Sequence, residues 1–113
     1  MGTFTAGQGI LLPFPFSDLS RSKFRPALRL ADAGREGWIA CQITSNPYAD
    51  PHAILLRDDD FLSGGLQRSR HARPGKLFTA HASLFATAAG TVKTGKLDEI
   101  RNALIAMIRG QQS

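Results

Sequence analysis

The chain has 113 residues, of which 42% are hydrophobic, so it is long enough for one domain with a modest core. Its net charge of +5 and pI of about 10.2 favour a polyanion such as nucleic acid, or an acidic protein, as the partner. The single cysteine, Cys41, excludes an internal disulfide. With neither a signal-peptide pattern nor a membrane-spanning apolar run, we expect a cytoplasmic protein that does not enter a membrane. We predict one domain over residues 1–113, with a core from about 7 to 109.

The first half of the chain predicts short β-strands bounded by turn residues. In the first strand, residues 8–16 with the sequence QGILLPFPF, Pro13 and Pro15 cannot donate to a strand ladder. This strand is therefore expected to lie at a sheet edge or to carry a bulge. Turns are indicated at 58–60 and 63–65. Further strands are expected at 27–31, 37–44, 53–57 and 77–85.

The C-terminal segment has a different pattern, which predicts an amphipathic helix. Its apolar residues Leu97, Ile100, Leu104 and Ile108 fall at steps of three and four, and Gly110 ends the pattern. Several short strands and one terminal helix predict a mainly β fold, a small and strongly bent barrel with the helix packed on it.

Three consecutive apolar residues, Ile10, Leu11 and Leu12, occur in the first predicted strand. Successive side chains of a strand point to opposite faces, so a small barrel cannot bury all three on one face. We therefore expect a second copy of the chain to cover part of this surface and part of the C-terminal helix, which predicts a homodimer.

The cations concentrate in two segments that contain no acid. Residues 20–29 and residues 67–76 each carry four of the 14 Lys and Arg residues. Both are expected to be loop-like, since one contains a polar turn and the other contains Pro74 and Gly75. A solvated basic surface explains one such segment, but two in a short chain favour a polyanion site.

Hydroxyl residues mark the end of the predicted strand 37–44. Thr44 and Ser45 precede the turn-like sequence NPYADP, where they can bond the turn backbone. They can instead bind a phosphate oxygen if an arginine begins a neighbouring strand. The sequence leaves both interpretations open.

Metal ligands are sparse in this chain, and we predict no metal or other cofactor. His52, His71 and His81 are scattered, and there is no second cysteine. The aspartates at 58–60 are adjacent on a turn and cannot all converge on one ion, so they are expected to be solvated.

Four segments occur in a suggestive order: GQGILLPFPFSDLSRSKFRPALRL, CQITSNPYADP, GGLQRSRHARPGKLFTA and GTVKTGKLDEIRNALIAMI. In order and separation they resemble the first hairpin with Arg-Pro-Ala, the Ile-Thr-Ser strand end, the Leu-Phe-Thr region and the final helix of the PemK/MazF family of type II toxins. The similarity runs from about Gly7 to Ile108.

The resemblance implies an SH3-like barrel with a C-terminal helix, usually a homodimer. It also implies metal-independent, sequence-selective cleavage of single-stranded RNA, and silencing by a cognate antitoxin through an acidic segment. RNA carries its own nucleophile, the 2′-hydroxyl, so this reaction needs no metal-bound water. Its products would be a 2′,3′-cyclic phosphate and a 5′-hydroxyl.

The resemblance also suggests catalytic residues. Arg25 matches the arginine of Arg-Pro-Ala and would bind the scissile phosphate, since a planar guanidinium suits phosphate geometry. Pro26 keeps Arg25 extended, because a residue before proline avoids the helical region. Thr44 and Ser45 match hydroxyls that orient the phosphate.

The second basic segment departs from the family pattern at one position. Arg73 matches an arginine that works beside an acid two residues later in part of the family, but that position here is Gly75. The identity of the general base is therefore open. Lys76 and His71 lie nearby in the sequence and could bind the RNA backbone or substitute for the base. Lys76 is expected to bind RNA, and His71, a further candidate for RNA binding, is left open between the two roles. A mobile loop with a possible base-stacking residue would add further RNA contacts from Ser17, Arg21, Lys23 and Phe24, and the second segment would add Arg68.

Two rival functions use a similar barrel without catalysis. CcdB-like toxins poison DNA gyrase by protein contact, but they end in Trp-Gly-Ile, whereas this chain ends in RGQQS and has Trp38 as its only tryptophan. A non-catalytic nucleic-acid-binding barrel is the other alternative. Cleavage of labelled RNA in EDTA separates the nuclease from both.

Overall fold

Seven antiparallel strands and one C-terminal helix make up the part of the chain described by the structure, a computed structural model, namely residues 6–14, 23–46, 50–64, 70–85 and 87–110. The strands are β1 (Gln8–Phe14), β2 (Lys23–Gly34), β3 (Gly37–Thr44), β4 (Ile54–Leu56), β5 (Phe61–Gly64), β6 (Arg70–His81) and β7 (Thr87–Val92), and the helix is α1 (Thr94–Ile108). They form one curled, half-barrel sheet in the order β4-β6-β3-β2-β1-β7-β5. This confirms the predicted class, mainly β with a C-terminal helix. Within these residues, no helix is long and apolar enough to cross a membrane.

The structure contains more strand than the sequence indicated. β3 matches its predicted bounds, but β5 and β7 were not predicted, and β5 includes residues that indicated a turn. β6 begins at Arg70, so the prediction of a loop over the basic segment 67–76 is wrong from that residue onward. The reason is tertiary: β6 pairs with both β3 and β4, and this pairing outweighs the local preference of an Arg-, Pro- and Gly-rich sequence.

The turn-forming residues of this segment form a bulge inside β6. Cys41 of β3 pairs with Leu77, whereas the next residue, Gln42, pairs with Arg73. Residues 74–76 therefore have no partners on β3. Their sequence, Pro-Gly-Lys, suits a bulge because proline lacks the N–H that a ladder needs and glycine tolerates close approach.

β1 lies between β2 and β7 and is not an edge strand of the sheet, so that alternative was wrong for the strand as a whole. The bulge that β1 does carry lies between Gly9 and Ile10 on the side of β7, away from the prolines at which one was expected. The pairing with β7 stops at Leu11, so Pro13 lies where, among the described residues, only β2 pairs with this strand. Pro15 lies outside the described residues.

Two clusters of buried apolar side chains lie on the two faces of the sheet. We call the face under α1 the helix face and the opposite face the second face. The helix face contains Leu28, Leu30, Cys41, Ile43, Leu56, Phe61, Ala72 and Val92, on which Leu97 and Ile100 of α1 pack. The second face contains Ile10, Leu12, Ala27, Ala40 and Ala80. Alternation along β2 and β3 therefore assigns successive residues to different clusters.

A side chain of α1 completes the hydrogen bonding of β2. The pairing of β2 with β3 is bulged between Arg29 and Ala31. The carbonyl of the intervening Leu30 accepts hydrogen bonds from Arg101 Nε and Nη2 at 3.0 and 2.6 Å. The helix is thus attached to the sheet by a charged donor as well as by apolar packing.

The argument that Ile10 and Leu12 need a second copy to cover them does not hold. Both are buried within one chain, at 0% and 2% exposure, and Leu11 is half-buried. Large apolar side chains are exposed at the end of α1, where Ile105 and Ile108 are 45% and 72% exposed. The homodimer stays a prediction, and the helix end is the surface that now supports it.

Candidate active site

Two rows of side chains cross β2, β3 and β6 on the second face of the sheet. On β3, Cys41 and Ile43 belong to the helix face, so Gln42 and Thr44 point the other way. The observed pairing, extended by two residues from Ala27 opposite Gln42, brings Arg25 opposite Thr44. The first row is therefore Arg25, Thr44 and His71, and the second is Ala27, Gln42 and Arg73.

Arg25 lies on β2 opposite Leu12 of β1, and its side chain is exposed. It is paired in the ladder through its backbone, and the following Pro26 fixes it in the extended conformation. With the residues that the structure describes, its guanidinium makes no hydrogen bond or ion pair. The group is therefore accessible from the second face.

Thr44 lies at the end of β3 and caps the turn that follows. Its Oγ1 donates to the Asn46 carbonyl at 3.0 Å and accepts from the Asn46 N–H at 3.2 Å. This is the turn-capping interpretation, and phosphate binding would require the O–H to rotate away from Asn46. Ser45, the next residue, is exposed.

Arg73 is held by two partners on the second face. Its Nε donates to Asp50 Oδ2 at 2.7 Å, and its Nη1 donates to Gln42 Oε1 at 3.3 Å. The side chains of Arg73 and Asp50 are 24% and 13% exposed, so the ion pair is partly shielded from water. The guanidinium thus has a defined orientation beside the Arg25–Thr44 row.

Asp50 is the residue of this site that the sequence interpretation missed. Burial raises the pKa of Asp50, but the hydrogen bonds from Arg73 and from the His52 backbone, with the charge of Arg73, lower it by more, so the net pKa is below its usual value. The carboxylate is therefore ionised at neutral pH. The available signal was weak: Asp50 is the one acid between residues 37 and 57, within a turn that explained it adequately.

Position 75 points away from Arg73 in this packing. A Cβ built on Gly75 would lie 2.6 Å from Cε of Met107 on α1, so a side chain there would point toward the helix face. Arg73 points to the second face, because its neighbour Ala72 is buried in the cluster under α1. The position at which the family pattern has an acid is therefore directed away from Arg73 by the bulge of β6.

The other predicted RNA-binding residues are distributed around this site. His71 is half-buried opposite Thr44, and its Nδ1 is enclosed without a hydrogen-bond partner among the described residues. Lys76 is exposed in the bulge of β6. Ser17, Arg21 and Arg68 lie outside the described residues. Lys23 and Phe24 begin β2, and their side chains also lie outside the description.

One cation of the basic segment 20–29 is not available to a polyanion. Arg29 is 0% exposed, donates from Nη2 to Gln8 Oε1, and lies 5.2 and 4.8 Å from the ring centroids of Trp38 and Phe85. Burial lowers the pKa of Arg29 to about 10. The expectation that the whole segment forms an accessible basic loop is wrong here, because Arg29 stabilises the packing of the second face.

The site as a whole presents positive charge and hydrogen-bond donors of the kind that suit a phosphate group. Arg25 offers an accessible guanidinium and Arg73 an oriented one on the same face, and the Thr44 hydroxyl becomes a further donor when it turns from the Asn46 carbonyl. Neighbouring strands are about 4.8 Å apart, so a phosphate above β3 is within reach of long side chains from β2 and β6. Cationic donors of this kind stabilise charge that develops on phosphate oxygens.

No protein-family model matches the chain, and no curated protein matches it at a significant level. Solved structures do match: a mycobacterial endoribonuclease in complex with its cognate antitoxin has a TM-score of 0.69 at 15% identity, with 100% of this chain and 99% of the other covered. The MazE–MazF structure from Deinococcus radiodurans gives 0.69 at 22% identity, with 95% and 96% covered. The Mycobacterium tuberculosis toxin MazF-mt6 gives 0.69 at 12% identity, with 94% and 99% covered. These likenesses confirm the fold implied by the resemblance in the sequence: the chain has the fold of the MazF endoribonuclease toxins.

Proposed function

We propose that this protein is the toxin of a type II toxin–antitoxin system, an endoribonuclease that cleaves single-stranded RNA at selected sequences without a metal ion. The observation that carries the proposal is the position of Arg25, Thr44 and Arg73 on one face of three adjacent strands. Proteins of the same fold support it, since they include an endoribonuclease bound to its cognate antitoxin and a MazF toxin.

Arg25 acts on the phosphate in the proposed reaction. The 2′-oxygen of RNA attacks the adjacent phosphorus, the bond from phosphorus to the 5′-oxygen breaks, and a 2′,3′-cyclic phosphate and a 5′-hydroxyl result. Negative charge builds on the non-bridging oxygens, where the exposed guanidinium of Arg25 donates. One such donor is worth about 3–4 kcal/mol of transition-state stabilisation. Thr44 and Arg73 orient the same phosphate, with Ser45 at the adjoining strand end.

His71 is the residue of the Arg25 row that we assign to proton transfer. An imidazole can accept the proton of the 2′-hydroxyl and return one to the leaving 5′-oxygen, a contribution of about 10²–10⁴-fold. His71 lies directly opposite Thr44 and is half-buried; its Nδ1 is enclosed, so proton transfer with RNA would have to use Nε2. Replacement of His71 by Gln, which keeps a polar side chain without the proton transfer, should therefore slow cleavage more than it weakens binding.

Purified protein incubated with end-labelled single-stranded RNA in EDTA tests this function. We expect cleavage, a 2′,3′-cyclic phosphate on one product and a 5′-hydroxyl on the other. The matched control is the same oligonucleotide with one 2′-deoxy sugar at the cut, which should resist. Equal cutting of that control, or of DNA, would contradict attack by the 2′-hydroxyl.

The same assay separates the two rival functions. A CcdB-like protein would leave RNA intact and inhibit gyrase, and a non-catalytic barrel would bind RNA without cutting it. The buried position of Trp38, 8% exposed beside Arg29, gives the only tryptophan a packing role in this chain. No contact on the described face favours gyrase over RNA.

The proposal includes two protein partners and a cytoplasmic location. The charge of +5 favours an antitoxin with an acidic segment, which would compete with RNA for the cations of the second face. The exposed end of α1, with Ile105 and Ile108, is the surface we expect a second copy to cover in a homodimer of single-domain chains. A monomer in sedimentation at micromolar concentration would argue against the dimer.

A further inference from the structure

We propose that Asp50 is a positioning residue of this site: it holds the guanidinium of Arg73 so that the remaining N–H groups of Arg73 face the RNA phosphate. The inference rests on the proposed function, because it assigns Arg73 to the phosphate that Arg25 binds. It goes beyond the sequence patterns, which placed Asp50 in a turn and assigned it no role.

The contacts of Arg73 leave a defined set of donors for RNA. A guanidinium has five N–H groups. One on Nε is taken by Asp50 and one on Nη1 by Gln42. The three that remain are on Nη1 and Nη2, the pair of nitrogens that can bind two oxygens of one phosphate. Asp50 and Gln42 hold the two sides of the group, so rotation that would turn these donors away costs both bonds.

Asp50 can orient Arg73 because backbone hydrogen bonds within the following turn orient Asp50 itself. Its Oδ1 accepts a hydrogen bond from the His52 N–H at 2.9 Å, and its carbonyl accepts one from the Ala53 N–H at 3.2 Å. Such turns fix the direction of an Asp side chain. With a side chain only 13% exposed, Asp50 presents its second oxygen, Oδ2, to Arg73 Nε at 2.7 Å.

Asp50 supplies to Arg73 a carboxylate that position 75, which points to the other face, does not. The bulge of β6 directs position 75 at Met107 on the helix face, whereas Arg73 lies on the second face. A carboxylate partner for Arg73 must therefore come from another element. Asp50, on the loop between β3 and β4, is the acid that reaches it among the described residues.

The geometry favours positioning over a role for Asp50 as the general base. Both carboxylate oxygens already accept hydrogen bonds, one from Arg73 and one from the His52 backbone. The lowered pKa agrees, because a carboxylate stabilised as the anion is less ready to take a proton. A positioning residue needs a hydrogen-bond acceptor at this place, which an amide oxygen also supplies.

The test compares Asp50→Asn with Asp50→Ala, alone and combined with Arg73→Ala, in the full-length protein. We expect Asp50→Asn to keep the cleavage rate at saturating RNA within about threefold, and Asp50→Ala to lose about 10–100-fold, the size of effect that misplacement of a catalytic group produces. In the Arg73→Ala background, Asp50→Ala should have no further effect. Asp59→Asn, which removes an exposed carboxylate on the neighbouring 3₁₀ turn, is the matched control for charge.

Two outcomes would overturn the inference. If Asp50→Asn is as slow as Asp50→Ala and the acidic limb of the pH–rate profile disappears in both, Asp50 is the base. If Asp50→Ala slows cleavage equally with and without Arg73, it does not act through Arg73. The same four variants can be compared by their affinity for an RNA that carries a 2′-deoxy sugar at the cut and cannot be cleaved. If the effects of Asp50→Ala and Arg73→Ala on affinity are coupled but the wild type cleaves no RNA, only the nuclease function is overturned. If the wild type cleaves RNA but the two effects are independent, only the role of Asp50 is overturned.

Discussion

Two arginines on the same strand and the same face, Arg25 and Arg29, have opposite environments. They are four residues apart on β2, so alternation points both to the second face. Arg25 is exposed at the start of the strand, and Arg29 is completely buried between Trp38 and Phe85. The strand therefore offers one guanidinium to a ligand and uses the other inside the protein.

The difference shows that residue type and charge pattern do not decide the role of a cation. Aromatic rings and the amide of Gln8 surround Arg29, and they compensate in part for the loss of water around its charge. Arg73 provides an intermediate case, since Asp50 and Gln42 hold it while part of it stays exposed. A catalytic role requires a charge that is fixed in direction and still accessible.

The largest effect on stability is expected for Arg29, the buried arginine of the pair. Replacement of Arg29 by Ala should lower the free energy of unfolding by about 3–5 kcal/mol, because it leaves a cavity and orphans the Gln8 amide. Arg29→Met should cost less: the folded protein lowers the pKa of Arg29 to about 10, so burial of the charge opposes folding at neutral pH, and Met fills space without that charge. Urea unfolding measures both. If Arg29→Ala and Arg29→Met lose the same unfolding free energy, the space filled by the Arg29 side chain does not account for its contribution to stability.

A smaller effect is expected from Arg101, which stabilises the sheet from the helix. Arg101→Ala leaves the Leu30 carbonyl without the two bonds it now accepts, at a cost of about 1–3 kcal/mol. Thermal unfolding gives the change, and the cleavage rate of the folded fraction should stay within about twofold. Arg109→Ala, an exposed arginine that follows the same helix, is the control. A loss of catalysis without loss of stability would place Arg101 in the site.

The ion pair of Asp50 and Arg73 should make a modest contribution that depends on pH. The folded state lowers the pKa of Asp50, so the stabilisation is complete above the ordinary carboxyl value of about 3.9 and is lost as the pH falls through the folded value. The difference in unfolding free energy between wild type and Asp50→Asn, about 1 kcal/mol, should be constant from pH 8 to about 5 and shrink below about pH 4. If the difference in unfolding free energy grows as the pH falls, the folded state does not stabilise the ionised carboxylate of Asp50, and the ion pair with Arg73 is contradicted.

The smallest effect is expected at the cations that only hold the RNA backbone. Lys23→Ala or Arg68→Ala should weaken RNA binding modestly and reduce the slope of log affinity against log salt by about one, as for one lost phosphate contact. The maximal cleavage rate should not change. Filter binding at several salt concentrations measures the slope. If either variant lowers the maximal cleavage rate, the residue that it replaces takes part in catalysis.

The sequence predicted the parts of the fold that depend on local pattern. The apolar spacing located α1, and the flanking turn residues located β3 at its observed bounds. It did not predict β5, β7 or the first half of β6, because their strand conformation comes from pairing with distant strands, and residues of β5 and β6 favour turns. The bulge at residues 74–76 keeps the local preference of Pro-Gly-Lys for a turn inside a strand that is formed by long-range pairing.

The candidate site was predictable for residues within recognisable motifs. Arg25, Thr44, His71 and Arg73 were found from the motifs and the basic segment, and they lie on one face of the sheet, while their roles stay predictions. Asp50 was not predictable, because its contact with Arg73 joins a loop to strand β6 across 23 residues, and no local pattern pairs the two. The burial of Arg29 was equally invisible, since only the folded sheet brings Trp38 and Phe85 around it.

The measurement that tests the account most directly is the single-turnover cleavage rate of Arg25→Ala in EDTA at saturating RNA, beside wild type, Arg25→Lys and Arg73→Ala. We predict that Arg25→Ala loses at least about 100-fold in rate while RNA affinity falls far less, because one donor to developing charge is worth that much. Arg25→Lys should also be slow, since an ammonium cannot reproduce the planar fork. If Arg25→Ala cuts at the wild-type rate while Arg73→Ala is inactive, the catalytic arginine lies on β6 and the central assignment is wrong.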